Sequence, residues 1–288
     1  MRTLLADLCS VLKLRIGVAI TLTALVGLAV TPGPSVAAWK IVLLAACVLG
    51  FSGSAGAFNQ LVERKLDARM ARTRNRPFVR GAFHVGPAWY IGIATLLAES
   101  VGAAAVGLGG MAALNVFLGA FVYGVVYTVW LKQRTALNIV IGGLAGSFAV
   151  LAGAAVIDPQ PSTVPLLLAL ALFLWTPPHF WSLAMAARGE YAAAGVPMLP
   201  VVVGDRAASW VILVHAAALV AVSLLPALFG LGLVYLATAG AGGLFFLWRS
   251  LLLVRTPGRV AAMANFHASL TQLSLMLLGG ILDRALAG

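Results

Sequence analysis

The chain has 288 residues, 62% of them hydrophobic and only 9% charged, and its formal net charge is +11 at pH 7. Soluble domains carry about 25% charged residues, so this composition excludes an ordinary soluble domain and indicates an integral membrane protein. The basic residues are not interleaved with aromatic side chains as in nucleic-acid-binding patches. We therefore exclude a nucleic-acid partner and attribute the charge to membrane topology and anionic ligands.

Apolar runs recur along the whole chain, and we expect about nine of them to cross a hydrocarbon core of about 30 Å. The predicted fold class is an all-α polytopic membrane bundle, with residues 1–288 in a single domain. The predicted spans are 14–31, 38–60, 87–108, 111–130, 137–157, 163–186, 208–229, 231–254 and 262–283.

The basic residues predict the orientation of these helices. All but Lys40 and Arg284 fall at the N-terminus or near the loops after the even-numbered runs. Cytoplasmic loops are enriched in Lys and Arg, so we expect a cytoplasmic N-terminus and an external C-terminus. Because no cleavage site or transit segment is evident near the first run, a retained helix in a bacterial plasma (inner) membrane is favoured. The residues assigned to the cytoplasmic side are Arg2, Lys13, Arg15, Arg64, Lys65, Arg69, Arg72, Arg74, Arg76, Arg80, Lys132, Arg134, Arg188, Arg206, Arg249, Arg255 and Arg259.

Early in the chain, Lys13 and Arg15 mark the cytoplasmic edge of the first run. The second run ends in small residues at positions 50–56, which allow either close helix packing or space for a bulky ligand. The third run carries Glu99 far from both ends. Since a carboxylate at mid-membrane depth is costly, we expect Glu99 to face the protein interior.

A polar stretch at residues 59–81 follows the second run. Asn59, Glu63 and Asp67 are spaced i, i+4 and i+8, so they share one helical face over about 12 Å. Oxygen donors of this kind suit Mg²⁺, which also binds substrate phosphates, and guanidinium groups at Arg72 and Arg76 suit the other phosphate oxygens. The spacing is equally compatible with a helix end followed by a basic cytoplasmic loop.

The pattern Asn59-x-x-x-Glu63-x-x-x-Asp67 resembles the first Asp-rich motif of the UbiA superfamily of intramembrane prenyltransferases. Its continuation, MARTRNRP at residues 70–77, is similar to that of the heme O synthase branch, the protoheme IX farnesyltransferases. The resemblance implies Mg²⁺-dependent transfer of a farnesyl group from farnesyl diphosphate to a vinyl group of heme b. Glu63 stands where many superfamily members have Asp, and heme O synthases use either acid.

The end of the fourth run, YTVWLKQR at residues 127–134, resembles the Tyr-Thr-x-x-Leu-Lys-Arg segment of the same branch. The resemblance implies that Lys132 neutralises the departing diphosphate and that Tyr127, Arg134 and Asn138 contact substrate. For the two cations, the alternative is a topology anchor at the membrane edge.

The sixth run and the loop after it carry WTPPHFW at residues 175–181, RGEY at 188–191 and VPMLPVV at 196–202. Heme O synthases show a similar series, with Asp where Glu190 stands here. The resemblance implies a second acidic site, with Glu190 and Tyr191 contacting substrate and Glu190 helping to hold Mg²⁺. His179 is open to three interpretations: an axial ligand of the heme iron, another substrate contact, or a structural residue.

Two similar loops, RPFVRG at residues 76–81 and LPVVVG at 199–204, follow the two polar sites. We interpret them as a weak internal repeat of two halves, roughly 1–135 and 136–288, that share one cavity.

The resemblance implies farnesyl diphosphate, heme b and membrane lipid as partners, with heme A synthase or the cytochrome oxidase assembly pathway downstream. One alternative is a UbiA-type enzyme acting on a quinone precursor or a chlorophyllide, against which the Pro-His-Phe and Pro-Met-Leu-Pro series argues. Another is a transporter, which needs no Asn-Glu-Asp row beside an Arg-rich loop.

Overall fold

A computed structural model describes the backbone of residues 4–287 and the side chains of residues 4–286. These residues form helices and connecting loops without a strand, which confirms the predicted all-α class. Arg2 lies outside the described residues. The helices are α1 (Leu4–Val11), α2 (Leu14–Val30), α3 (Ala38–Asp67), α4 (Pro87–Gly107), α5 (Gly110–Phe121), α6 (Asn138–Gly142), α7 (Leu144–Ala154), α8 (Thr163–Ala186), α9 (Arg188–Ala193), α10 (Leu199–Leu224), α11 (Leu233–Arg255) and α12 (Arg259–Ala287).

Two segments depart from α-helical winding. A π-helical segment, Val122–Leu131, continues α5, and a 3₁₀ turn, Leu225–Leu228, ends α10.

Within the described residues, six helical stretches are long and apolar enough to cross a membrane, or seven if α1 and α2, which meet at 50°, form one span. The fifth predicted run is the shorter pair α6 and α7, and the ninth is α12. Every predicted run is therefore helical, while nine crossings and the orientation stay predictions.

The helices form a closed ring. α2 packs on α3 and α7, α3 packs on α4 and α5, and α7 packs on α5 and α8. α8 packs on α10 and α12, α11 packs between α10 and α12, and α12 returns to α2. The crossing of α2 and α7 is backbone to backbone, because a Cβ on Gly153 would lie 1.8 Å from the Ala24 carbonyl oxygen. Small residues allow this approach in membrane bundles.

The two loops predicted to correspond share one backbone feature. Gly81 has a φ of 75° and Gly204 a φ of 79°, in the left-handed region that favours glycine. Gly204 interrupts the helical geometry of α10. Residues 199–204 are not a loop as predicted, because they form the start of α10. Both segments nevertheless turn at their sixth residue, and the two-half organisation of the chain stays a prediction.

Glu99 lies on the outer side of α4 and is exposed. α4 packs one face on α3 and α5, and only 11% of its apolar window is buried. The expectation that Glu99 faces the protein interior was therefore wrong, because that interior-facing side of α4 is occupied by small residues such as Ser100 and Ala104.

Candidate active site

The polar row at the end of α3 is the centre of the candidate site. Asn59, Glu63 and Asp67 occupy the last turns of α3, and each side chain is 2% exposed or less. Burying three polar groups in an apolar bundle is costly unless each has a partner. The partners found in the structure define the rest of the site.

Each member of the row is bound by a different cation. Lys13 Nζ donates a hydrogen bond to Asn59 Oδ1 over 2.5 Å, and Arg76 Nη1 lies 2.6 Å from Asp67 Oδ2. Lys132 forms an ion pair with Glu63 Oε2. The cations come from three separate segments: the break between α1 and α2, the residue after the π-helical segment, and the Arg-rich loop 68–86 that follows α3.

Two carboxylate oxygens of the row remain free. Within residues 4–287, Glu63 Oε1 and Asp67 Oδ1 are buried without a hydrogen-bond partner. Free, buried oxygens from adjacent helical turns fit a hard divalent cation such as Mg²⁺. The same residues contain no group of three or more His, Cys, Asp or Glu side chains placed to hold a metal. An ion here would therefore take its remaining ligands from Asn59, water or a substrate phosphate.

Lys13 is a site residue that the sequence reasoning missed. Its backbone φ is 49°, an uncommon value for a residue other than glycine, and its ammonium also donates to Tyr123 Oη over 2.8 Å. Its partner Asn59 is 46 positions away in the sequence. The sequence therefore showed only a lysine at the start of an apolar run, with no indication of this contact. Gly56 lies opposite, where an added Cβ would be 3.3 Å from the Lys13 side chain. Gly53 and Gly56 therefore allow close packing of α3 on the α1–α2 break, whereas Gly50 and Ser54 face α4.

The π-helical segment orients Asn59. Thr128 Oγ1 accepts a hydrogen bond from Asn59 Nδ2 over 2.9 Å and donates to the Tyr123 carbonyl over 2.8 Å. The Asn59 oxygen therefore points toward Lys13. Tyr127 stacks on Tyr123, with ring centroids 5.6 Å apart, and lies beside Lys132. π-helical turns often occur at functional sites, but no sequence period predicted this one.

Two residues expected to contact substrate lie away from the row. Arg134 is exposed, and no contact with the row is found for it in the described part of the chain. Asn138 is buried and donates to the Thr135 carbonyl over 2.6 Å, so it braces the loop behind Lys132. The structure therefore brings Lys132 to the row. Asn138 stabilises the loop after Lys132, and Arg134 lies exposed in that loop.

The second acidic site joins the first through Arg72. The Arg72 backbone N–H donates to Glu190 Oε2 over 3.1 Å, and its guanidinium donates to Tyr191 Oη over 3.3 Å. Burial raises the pKa of Tyr191, with the Arg72 guanidinium acting in the opposite direction, so the hydroxyl stays protonated. Glu190 does not cluster with Glu63 and Asp67 in the described residues. Glu190 thus lies beside Arg72 and apart from the row, and its help in holding Mg²⁺ stays a prediction.

His179 is held on three sides by α8 and α12. Its ring lies between Trp175 and Phe266, with centroid distances of 4.1 and 4.4 Å, and Nδ1 is 2.7 Å from Ser269 Oγ. The Ser269 hydroxyl donates its one hydrogen to the Phe266 carbonyl over 2.6 Å. From this hydrogen-bond pattern we assign the tautomer in which Nδ1 carries the proton and donates to Ser269, with a lone pair on Nε2. That nitrogen is the one able to bind a metal ion.

The amino-acid sequence matches the model of the UbiA prenyltransferase family over residues 20–276. A protein named protoheme IX farnesyltransferase 2, from Paramagnetospirillum magneticum, is 56% identical over 281 residues, which cover 98% of both chains. A protoheme IX farnesyltransferase from Parvibaculum lavamentivorans is 41% identical over 256 residues, which cover 88% of this chain and 79% of that one.

Solved structures of low sequence identity share the fold. A UbiA homolog from Aeropyrum pernix K1 has a TM-score of 0.77 at 21% identity, covering 94% of this chain and 98% of that one. A UbiA homolog from Archaeoglobus fulgidus, bound to GPP and Mg²⁺, has a TM-score of 0.73 at 16% identity, covering 97% and 99%. These similarities confirm the predicted UbiA-like bundle.

Proposed function

We propose that this chain, which belongs to the UbiA prenyltransferase family, transfers a farnesyl group from farnesyl diphosphate to a vinyl group of heme b. The products are heme O and diphosphate. The near full-length identity to proteins named protoheme IX farnesyltransferase supports this acceptor and donor. The single structural observation that carries the reaction class is the buried row of Asn59, Glu63 and Asp67, each bound by a cation.

Glu63 and Asp67 are the residues proposed to hold Mg²⁺, with Asn59 beside them. Their free oxygens, Glu63 Oε1 and Asp67 Oδ1, fit this assignment. The ion, when bound, supplies a Lewis acid that stabilises charge on phosphate oxygens. A solved relative of low identity binds GPP and Mg²⁺, which supports the same use of a metal here.

The cations around the row are proposed to bind the diphosphate. Lys13, Arg76 and Lys132 each contact a row oxygen, and phosphate oxygens placed beside the row would compete for the same three donors. Arg72 lies on the adjoining loop and adds a planar guanidinium suited to phosphate. Negative charge develops on the departing diphosphate, and fixed cations that stabilise it lower the barrier to its loss.

Loss of diphosphate leaves an allylic farnesyl cation, which the apolar bundle shields from water. The π electrons of the heme vinyl group form the new carbon–carbon bond with C1 of this cation. The cation left on the former vinyl group takes up water and releases one proton, which gives the hydroxyethylfarnesyl group. His179, with Nε2 as its free nitrogen, is proposed to contact the heme and to ligate its iron.

The proposed membrane placement rests on the distribution of basic residues along the chain. We assign the protein to the bacterial inner membrane with the row and the Arg-rich loop on the cytoplasmic side, where soluble farnesyl diphosphate is accessible. Charge asymmetry supports this side. Its product would pass to heme A synthase or to the assembly of cytochrome oxidase.

The experiment that tests the function is a competition between acceptors. Purified protein in lipid nanodiscs is incubated with Mg²⁺ and farnesyl diphosphate, with heme b or with 4-hydroxybenzoate. We expect heme O from heme b, detected by mass spectrometry, and no product from 4-hydroxybenzoate. Prenylation of 4-hydroxybenzoate alone would assign a quinone pathway, and no product from any acceptor would favour a transporter.

A further inference from the structure

A cavity of about 440 Å³ lies between α8, α9 and the start of α12, within the size range of small-molecule sites. Leu183 and Ala186 on α8 and Met263 on α12 form apolar walls, and Arg72, Glu190 and Arg259 lie at its polar edge. The row on α3 does not line this cavity. The cavity is therefore a separate compartment that adjoins the row through Arg72.

Charge at the polar edge is not balanced. Glu190 accepts the Arg72 backbone N–H, and the Arg72 guanidinium is engaged with Tyr191. Arg259 is exposed, and among the described residues no hydrogen bond or ion pair of its side chain is found. It is also the first residue of α12, where the helix dipole disfavours a cation. An anionic group in the cavity would therefore find a cation with no protein partner in the described part of the chain, and it would also suit the positive end of the α12 dipole.

His179 does not line the cavity, but it lies close to two residues that do. Leu183 follows His179 by one helical turn on α8, and Phe266 follows Met263 by nearly one turn on α12, so these pairs share faces. The His179 and Phe266 rings are stacked. Arg259 and Phe266 are seven residues apart, which is about 10 Å along the helix. The cavity therefore has a cationic edge and apolar walls, and an imidazole lies about one helical turn from its lining residue Leu183.

We propose that this cavity is the acceptor site and that Arg259 binds a carboxylate of the acceptor. This inference rests on the proposed function and deepens it. The ligand class that fits is a flat, mostly apolar tetrapyrrole with carboxylates on one edge. Heme b meets this description, with its propionates at Arg259 and its macrocycle against the apolar walls formed by Leu183, Ala186 and Met263. Arg259 is then a specificity-determining residue for the acceptor and has no part in binding the diphosphate.

The test compares heme b with its dimethyl ester, in which both propionates are blocked. Each is titrated into protein in lipid nanodiscs without farnesyl diphosphate, and binding is followed by the Soret band. For the wild type we expect the ester to bind about 5-fold more weakly, as for a charged hydrogen bond near solvent. Arg259→Gln should weaken heme b binding about 5-fold and abolish the difference between the two ligands. Arg259→Lys should restore part of the difference in affinity between heme b and its ester.

The ratio of the two affinities is the decisive quantity, because the ester partitions more strongly into lipid in every sample. Arg255→Gln is the matched control, since Arg255 is exposed at the end of α11 and does not line the cavity. It should keep the wild-type ratio. A wild-type ratio in Arg259→Gln would overturn the assignment of Arg259.

Turnover separates this inference from the function on which it rests. If the wild type converts heme b but Arg259→Gln keeps the wild-type ligand ratio, the acceptor-site inference alone fails. If the wild type discriminates between heme b and its ester but never prenylates heme b, the proposed reaction fails while the carboxylate site stands. Absence of heme binding in the wild type would overturn both.

Discussion

Lys132 and Glu63 form a buried ion pair, although 69 positions of the chain separate them. The pair joins the end of the π-helical segment to α3, and it places a cation beside the free oxygen Glu63 Oε1. Removing one partner of a buried ion pair leaves an uncompensated charge, which typically costs about 3–5 kcal/mol. The pair thus joins two helical segments and also belongs to the proposed reaction site.

Lys132→Met is expected to lower both stability and activity. The melting temperature should fall because Glu63 loses its counter-charge, and kcat/KM should fall by about 100-fold or more, as when a preorganised donor to a developing anion is removed. Arg134→Gln is the matched control, because Arg134 is exposed in the same loop. An equal loss in both variants would show that the loop's total charge matters and not the Lys132 contact.

The parts of this site that could be predicted are those whose residues lie close together in the sequence. The common face of Asn59, Glu63 and Asp67 follows from the helical period alone. The family resemblance placed Lys132 at the site, although not its contact with Glu63. Lys13 was not predictable, because tertiary packing brings it to α3 and no local pattern records that contact. The π-helical winding at Tyr127 has no sequence period of its own. Glu99 is the opposite case. The rule that membrane carboxylates face the protein interior predicted a buried Glu99, but the packing of α4 leaves it exposed.

Asp67→Asn is expected to abolish Mg²⁺-dependent turnover while the bundle stays folded. The amide keeps the shape of the carboxylate but removes the charge, and Arg76, its partner, is partly exposed and can be solvated. We expect at least an approximately 100-fold loss of kcat/KM, and loss of Mg²⁺-dependent farnesyl diphosphate binding by calorimetry. Asp158→Asn, in the loop after α7, is the control. Near-normal activity of Asp67→Asn at limiting Mg²⁺ would remove the metal role from the row.

Glu63→Asp tests the reach of the second carboxylate. The charge is kept while the side chain is shortened by one methylene, so the contact with Lys132 lengthens. We expect activity between that of the wild type and that of Glu63→Gln, with a higher Mg²⁺ concentration needed for half-maximal rate. If Glu63→Gln were as active as Glu63→Asp, charge at this position would not be required.

Lys13→Met is expected to weaken farnesyl diphosphate binding, because Lys13 is the cation at the Asn59 end of the row. Losing one charged contact to phosphate should raise KM for this substrate by about 10-fold. Arg15→Gln removes the same charge from an exposed position two residues away, and it should leave KM near the wild-type value. Similar changes in both variants would mean that Lys13 acts only through membrane topology.

The last prediction concerns the tautomer of His179. Ser269 Oγ accepts a hydrogen bond from Nδ1–H, and this leaves on Nε2 the lone pair proposed to ligate the heme iron. Ser269→Ala should shift the Soret band or lower heme occupancy in protein isolated from heme-replete cells, because the imidazole loses the contact that fixes its tautomer. His179→Ala should do so more strongly, with farnesyl diphosphate binding unchanged in both. Ser274→Ala, exposed on the same helix, should leave the spectrum unaltered. An unchanged spectrum in His179→Ala would exclude His179 as the axial ligand and leave the prenyl transfer itself untouched, since the row on α3 does not depend on it.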